Sequence, residues 1–327
     1  MQYAPMGRTG VQVSKIALGT ATFGVAPQIG DAERIVAAAL DFGINYFDCA
    51  NSYGNQTRFD RPGVPPAAER ESAEEILGRA LKGRRNEVII SSKVSEPVGE
   101  GVNDRGLSRL HIFNQVEQSL KRLGTDHIDL YYAHHPDPRT PIEATMRAYD
   151  DLIRQGKIRY AALSTYLGWQ VVDAVFASYR IGAQAPVVNQ IAYNLQHRYA
   201  EREILPACAN HGLSVTVFGP LAGGLFAGAV DEGREITGNR RWGGPGFNDQ
   251  QAALARQLAQ VARDSGHTSP ELALAWLLAN PVVCSAIIGP ETLAELQMNA
   301  GAADLTLSPE VMAAVDEVGK QPPIPFN

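Results

Sequence analysis

No apolar run in this chain approaches the ~20 residues that a bilayer-spanning helix needs, and no basic block interrupts its mildly acidic balance of −6. The first absence removes a membrane span. The second removes nucleic acid and anionic membrane as expected partners. Cysteine is scarce too. Cys49, Cys208 and Cys284 lie far apart without metal-ligand spacing. With no signal-peptide pattern either, they read as reduced thiols of a cytoplasmic protein. The first strand is not followed by a G-x-G-x-x-G run, so any use of a dinucleotide does not imply a Rossmann fold.

What is present suffices for a large core: 327 residues, 45% of them hydrophobic. Short apolar runs without strict alternation predict strands at Ile16–Thr20, Tyr46–Ala50, Val88–Val94, Ile128–His134, Tyr160–Ser164, Val187–Ala192, Ser214–Phe218 and Val283–Ile288. Amphipathic segments between and after them predict helices over Ala32–Phe42, Ser72–Leu81, Ser108–Leu123, Pro141–Arg154, Gly168–Tyr179, Glu201–Asn210, Gln250–Asp264 and Leu293–Ala300. Gly43, Gly83, Gly124, Gly156 and Gly212 fall just past helix ends, where a left-handed cap is wanted. Eight strand–helix units argue for an α/β fold of the (β/α)8 TIM-barrel type. Gln2–Gly7 and Val11–Lys15 predict an N-terminal hairpin, and Ser269–Asn280 an extra helical segment near the C-terminus. Two long loops, 54–70 and Gly219–Asn248, exceed a minimal barrel. No linker or composition break divides the chain, so residues 1–327 are expected to form a single barrel domain.

The chemistry gathers where strands end. Asn45-Tyr46-Phe47-Asp48-Cys49-Ala50-Asn51-Ser52-Tyr53-Gly54 carries an apolar strand into a carboxylate, then a tyrosine five residues on. Lys93 and His134 close two later strands. Singly, such residues are a helix cap, a snorkelling surface lysine and a loop anchor. Together, on the face where barrel active sites form, they make a proton-transfer site. Tyrosine, with an ordinary pKa of about 10, is a poor acid at neutral pH. Lys93 is expected to favour the phenolate and lower that value, with Asp48 keeping the lysine charged and oriented. A neutral His134 would hydrogen-bond a substrate oxygen without competing as the acid. Such a site reduces a carbonyl only if a cofactor brings the hydride.

These segments resemble the aldo-keto reductase family over nearly the whole chain. The likeness runs through Met6-Gly7-Arg8-Thr9-Gly10, Ala17-Leu18-Gly19-Thr20, Phe47–Gly54, Glu75-Ile76-Leu77-Gly78, Gly106-Leu107-Ser108-Arg109, Ser119–Leu123, Asp129–His134, Gly156–Tyr160 and Gly219–Gly224. The resemblance implies a catalytic tetrad of Asp48, Tyr53, Lys93 and His134, with Tyr53 as general acid/base. His134 is preferred over His135 because it keeps the family's register after the strand. For a nicotinamide dinucleotide it implies Ser164 and Gln190 at the carboxamide, Phe218 stacked on the ring, and Gly219 and Leu221 along the pyrophosphate. Thr165 replaces a common asparagine. The plainer alternative makes Ser164 a turn residue and Phe218 barrel core.

Gly289, Glu291, Glu295 and Asn299 match the family's adenosine-phosphate segment, where many relatives carry basic or amide residues at the positions of Glu291 and Glu295. Two carboxylates there disfavour a 2′-phosphate, or else sit as helix-start charges. The family's habit makes NADP(H) the expected cofactor, with Arg240 or Arg241 as compensating charge and NAD(H) as the alternative. The expected activity is interconversion of an aldehyde or ketone and an alcohol, with a small-molecule partner. A regulatory barrel subunit of the same family, associated with a channel, is the competing reading. A metal-dependent hydrolase would need more ligands than His134, His135 and Asp137 provide. Arg58, Arg61 and Arg70, in the insertion Asn55–Arg70, either line a pocket for an anionic substrate or form a solvated face. Trp169 and Trp242 flank the substrate or simply pack.

Overall fold

The computed structural model describes residues 1–234, 236 and 246–320. Arg240, Arg241 and Trp242 therefore lie outside the described residues. The chain starts with an antiparallel hairpin of β1 (Tyr3–Pro5) and β2 (Gln12–Ser14). Eight parallel strands then close into a barrel: β3 (Ile16–Gly19), β4 (Tyr46–Asp48), β5 (Ile89–Val94), β6 (Ile128–Ala133), β7 (Ile158–Ser164), β8 (Val188–Ala192), β9 (Ser214–Phe218) and β10 (Val283–Ile288). Closure comes from β10 pairing with both β9 and β3. Around it run α1 (Ile29–Asp41), α2 (Ala73–Ala80), α3 (Arg109–Leu123), α4 (Ile142–Arg154), α5 (Gly168–Arg180), α6 (Ile204–His211), α7 (Asp249–Ser265), α8 (Ser269–Leu278), α9 (Leu293–Gly301) and α10 (Pro309–Glu317). This is the (β/α)8 barrel that the alternation predicts.

Both faces of each strand are covered, which is why the strands read as apolar runs. Residues on alternate positions enter two different layers. Phe47, Ile90 and Tyr131 pack outward against the helices. Tyr46, Leu130 and Tyr132 fill the barrel interior. The same parity sends Asp48 and Lys93 inward, above the interior plug. The hairpin seals the opposite end: Met6 and Val13, both fully buried, belong to that interior cluster. Gly7 lies against β8's entry with φ +56, and a Cβ there would come within 2.7 Å of the Val187 carbonyl, so no larger residue fits.

All five glycines predicted past helix ends have positive φ. The hairpin strands are shorter than expected, three residues each, and the predicted helix ends move by a few residues. Helix α10, unpredicted, is capped by Ser308 and opens with Pro309, an ordinary start signal. The insertion folds as two single 3₁₀ turns, Thr57–Phe59 and Ala67–Glu69.

Candidate active site

Asp48 ends β4 in register with Ser91 of β5, and Lys93 comes two residues later on the same inward face. Lys93 is fully buried. Its ammonium donates to Asp48 Oδ2 at 2.6 Å, to the Cys49 carbonyl at 2.9 Å and to Tyr53 Oη at 3.2 Å. A lysine has three N–H donors, and all three are used. The other Asp48 oxygen, Oδ1, accepts from Ser91 Oγ at 2.7 Å and from Gln190 Nε2 at 2.9 Å. The carboxylate is thus held from three strands, β5 through both Ser91 and Lys93, β8 through Gln190, and its own.

Tyr53 reaches this group through a tight loop. Its amide donates to the Ala50 carbonyl, and its own carbonyl accepts from Ala73 at the start of α2. Gly54 follows with φ +84, and a Cβ there would lie 2.8 Å from the Ala73 nitrogen and 2.9 Å from the Phe23 carbonyl. Only glycine lets the loop fold this closely over the barrel mouth.

The electrostatics correct one expectation. Burial raises the Tyr53 hydroxyl to about 12, and Lys93, which pulls downward, offsets this only in part. The residue list shows the charge near the phenol, but not the water removed from it. Burial by itself would depress Lys93, yet Asp48 and Tyr53 outweigh it and hold the ammonium above its ordinary value. Burial, then the Lys93 charge, pushes His134 well below the ordinary histidine value, so it is neutral at pH 7.

The two histidines separate clearly. His134 is buried, its ring 5.7 Å from that of Tyr53 in an edge-on arrangement. His135 is half-exposed and stacks on His134 at 4.7 Å, nearly parallel. Glu96, which no sequence motif singles out, sits beside both. Its carboxylate accepts from Ser52 Oγ and from both terminal nitrogens of Arg58, at 2.9 and 2.7 Å. His135 Nε2 lies 3.3 Å from Glu96 Oε1, and its Nδ1 lies 3.0 Å from Thr165 Oγ1. Glu96, His134 and His135 place one ligand atom each within 4.8 Å of one another. Asp137 is not among them; it accepts instead from the Leu107 amide.

Comparison with known proteins matches residues 15–320 to the model of the aldo/keto reductase family. The chain belongs to that family. Among its relatives, an uncharacterized oxidoreductase of Bacillus subtilis (strain 168) is 36% identical, over 97% of this chain and 96% of its own length. A probable voltage-gated potassium channel subunit beta of Arabidopsis thaliana is 34% identical, over 99% and 98%. The L-glyceraldehyde 3-phosphate reductase of Escherichia coli (strain K12) is 30% identical, over 97% and 92%.

In this chain the residues implied for a dinucleotide lie along the ends of β7 to β10 and in the helix after β10. Ser164 and Gln190 are register partners, both buried. Phe218, at the end of β9, is 38% exposed, so it is a free aromatic face and not barrel core. Gly219 follows with open space where a side chain would stand. Its carbonyl accepts from Asn194 Nδ2 at 2.8 Å, a part-buried link between two loops that the sequence did not reveal. Leu221 is half-buried beside it. An exposed aromatic beside an open glycine suits a planar ring followed by a pyrophosphate.

Beyond β10, Gly289 is exposed and Asn299 is buried in α9. Glu295 folds back so that its Oε2 accepts from the Glu291 amide at 2.8 Å, while Thr292 Oγ1 accepts from the Glu295 amide. Glu295 is therefore a capping carboxylate. In the insertion, Arg70 is buried and donates to the Gly54, Gln56 and Pro65 carbonyls and to Asp60, so it shapes the loop and offers nothing to an anion. Arg58 is committed to Glu96. Trp169 is 57% exposed at the start of α5 and is not core.

Among the described residues no helix is long and apolar enough to cross a membrane.

Proposed function

We propose that this chain, acting as a single barrel domain over 1–327, is an NAD(P)(H)-dependent oxidoreductase that interconverts an aldehyde or ketone and an alcohol. Tyr53 is the general acid/base. The observation that carries this reading is the use of all three Lys93 donors. Since Lys93 donates to Tyr53 Oη, the phenol's own hydrogen must point away from the lysine, toward the mouth. With the hydroxyl raised to about 12, Tyr53 is fully protonated at neutral pH and stands ready as the acid. An alkoxide is more basic than a phenolate, so passing the proton to a newly formed alkoxide is downhill. The phenolate left behind faces the fixed ammonium of Lys93, which Asp48 keeps charged. Neutral His134, beside Tyr53, orients the substrate oxygen and leaves the proton transfer to the phenol.

The nicotinamide cofactor supplies the hydride when bound. Ser164 and Gln190 are the carboxamide contacts, Phe218 the stacking face, Gly219 and Leu221 the pyrophosphate lining, and Gly289, Glu291, Glu295 and Asn299 the adenosine end. We assign NADP(H), with NAD(H) as the alternative. Supporting NADP(H) is the family's habit; the Glu295 carboxylate has a local use of its own, accepting from the Glu291 amide, that does not require it at the 2′-position. What favours an enzyme over a channel-associated subunit is the convergence of Asp48, Tyr53, Lys93 and His134 at one mouth.

Replacing Tyr53 with Phe tests the reading. Carbonyl reduction should fall by about 10²–10⁴-fold, the usual range for a lost general acid, with cofactor affinity nearly unchanged. Near-normal turnover in a folded Tyr53→Phe protein would sink the assignment.

A further inference from the structure

Three non-glycine residues have positive φ among the described residues, and two of them adjoin one cluster. Ser95, at φ +145, immediately precedes Glu96; Thr165, at φ +59, is β-branched and contacts His135. Such backbone is unfavourable for side chains with a Cβ, and it persists where the surroundings fix it, often at functional sites. Here it aims Glu96 inward from the end of β5 and brings Thr165 under His135. The result is a chain of contacts: Glu96 and Thr165 grip the two ring nitrogens of His135, His135 stacks on His134, and His134 meets the edge of Tyr53. Ser52, one residue before Tyr53, joins the same carboxylate.

We infer that Glu96 is a positioning residue: paired with Arg58, it holds the two histidines against Tyr53 and balances the charge around His134. The inference rests on the role proposed for His134. The Glu96 oxygens accept from Ser52, both Arg58 nitrogens and His135, so the trio of Glu96 and the histidines forms a hydrogen-bonded brace.

Charged and titratable groups face His134 from several elements. Asp48 and Tyr53 lie on the β4 side, Lys93 on β5 and Glu96 just past its end, His135 beside His134 just past β6, and Arg58 on the insertion. Nδ1 of His134 lies 4.0 Å from Glu96 Oε2 and is buried without a hydrogen bond. It therefore responds to the Glu96 charge through space and not through a shared proton. After burial, Lys93, His135 and Arg58 push its titration down, while Glu96 opposes them. Removing Glu96 and removing Arg58 must consequently act on His134 with opposite sign. A residue that merely fills space would not do that.

The test is an NMR titration of the His134 ring in the full chain, without substrate. Glu96→Gln should lower its pKa and Arg58→Gln should raise it, each by about one unit, a tenfold change in proton affinity. The double variant should return close to the parent. In steady-state reduction, Glu96→Gln should lower kcat by about tenfold, the lower end for an impaired acid–base step, with KM little changed. Shifts of the same sign, or no shift in either variant, would overturn the inference. Should Glu96→Gln fail to fold, Arg58→Gln alone decides: the Arg58 side chain is 43% exposed, and an unmoved His134 there refutes the balance. The titration does not depend on turnover. Near-normal activity in Tyr53→Phe would remove the proposed reaction and leave these shifts standing, whereas absent shifts with an inactive Tyr53→Phe would remove only the role of Glu96.

Discussion

Asp48→Asn is the sharpest perturbation of the site, because every neighbour of that carboxylate is fixed. Oδ2 faces the Lys93 ammonium, and Oδ1 faces Ser91 and the Gln190 amide nitrogen. An asparagine must turn its NH2 toward one side or the other. Turned to Lys93, two donors meet inside the barrel. Turned the other way, it meets the Gln190 NH2, and only the Ser91 hydroxyl can reverse to accept. At least one buried hydrogen bond is lost in either pose, together with the charge that offsets the burial of Lys93. Removing one partner of a buried ion pair costs about 3–5 kcal/mol, a large part of a total stability of about 5–15 kcal/mol. At about 2–4 °C per kcal/mol, Tm should fall by roughly 6–20 °C. The pH dependence follows from Lys93. In the parent its folded pKa lies above the ordinary 10.5, so the stabilisation is complete below 10.5 and is lost as pH rises through the folded value. In the variant, burial loses its main opponent and faces Tyr53 alone, so the folded pKa drops below 10.5. The penalty is then greatest at neutral pH and shrinks as pH climbs toward 10.5. Calorimetry of both proteins between pH 6 and 10.5 reads the gap directly. A gap under about 2 °C, or one that widens with pH, would refute the idea that Asp48 keeps a buried Lys93 charged.

Phe218→Ala should weaken NADPH binding, followed by quenching of intrinsic fluorescence, because it deletes the exposed aromatic face; unchanged affinity would remove the stacking role. Glu291→Arg should raise kcat/KM for NADPH relative to NADH by roughly ten- to hundred-fold, equal to about 1.5–3 kcal/mol for a charge-assisted contact, and a flat ratio would place that side chain away from the 2′-position. A parent that prefers NADH by more than about tenfold, a difference of about 1.4 kcal/mol, would overturn the NADP(H) assignment while leaving Tyr53 untouched. Arg70→Met should leave four loop acceptors without their donor and open 55–70 to limited proteolysis, and protease resistance equal to the parent's would show that the loop is held by something else.

Much of the fold could be read because barrel strands announce themselves. Apolar runs of about the right length, each followed by a helix and five of those helices by a glycine just past the end, leave few other topologies. Asp48, Lys93 and His134 at strand ends, with Tyr53 in the loop after β4, were legible for the same reason, and the family's register pointed to His134; the parity of the strand from Tyr132 agrees, with His134 buried and His135 half-exposed. Burial was not legible. The residue list gives Lys93 as a neighbour of Tyr53 but not the desolvation that outweighs it, so the predicted direction of the Tyr53 shift was reversed. Nor were Ser95 and Thr165 visible, because a left-handed non-glycine backbone has no composition signature, and without it Glu96 is one more loop glutamate. Gln190 was expected to serve the cofactor; that it also holds Asp48 depends on cross-barrel distance, which no spacing encodes. Helix α10, by contrast, carried a readable Ser308-Pro309 start.

The family match begins at residue 15, after the hairpin. A chain trimmed to that boundary would look complete by sequence and still lack Met6 and Val13. Both side chains belong to the cluster that includes Tyr46 and Tyr132, whose hydroxyls are 3.0 Å apart inside the barrel, beneath Lys93. Burial of each is worth about 1.5–3 kcal/mol. Their loss would also admit water from below to the layer that keeps the lysine dry. For anyone recombining this barrel with others, the segment before residue 15 therefore travels with the candidate active site at the far end and cannot be treated as disposable.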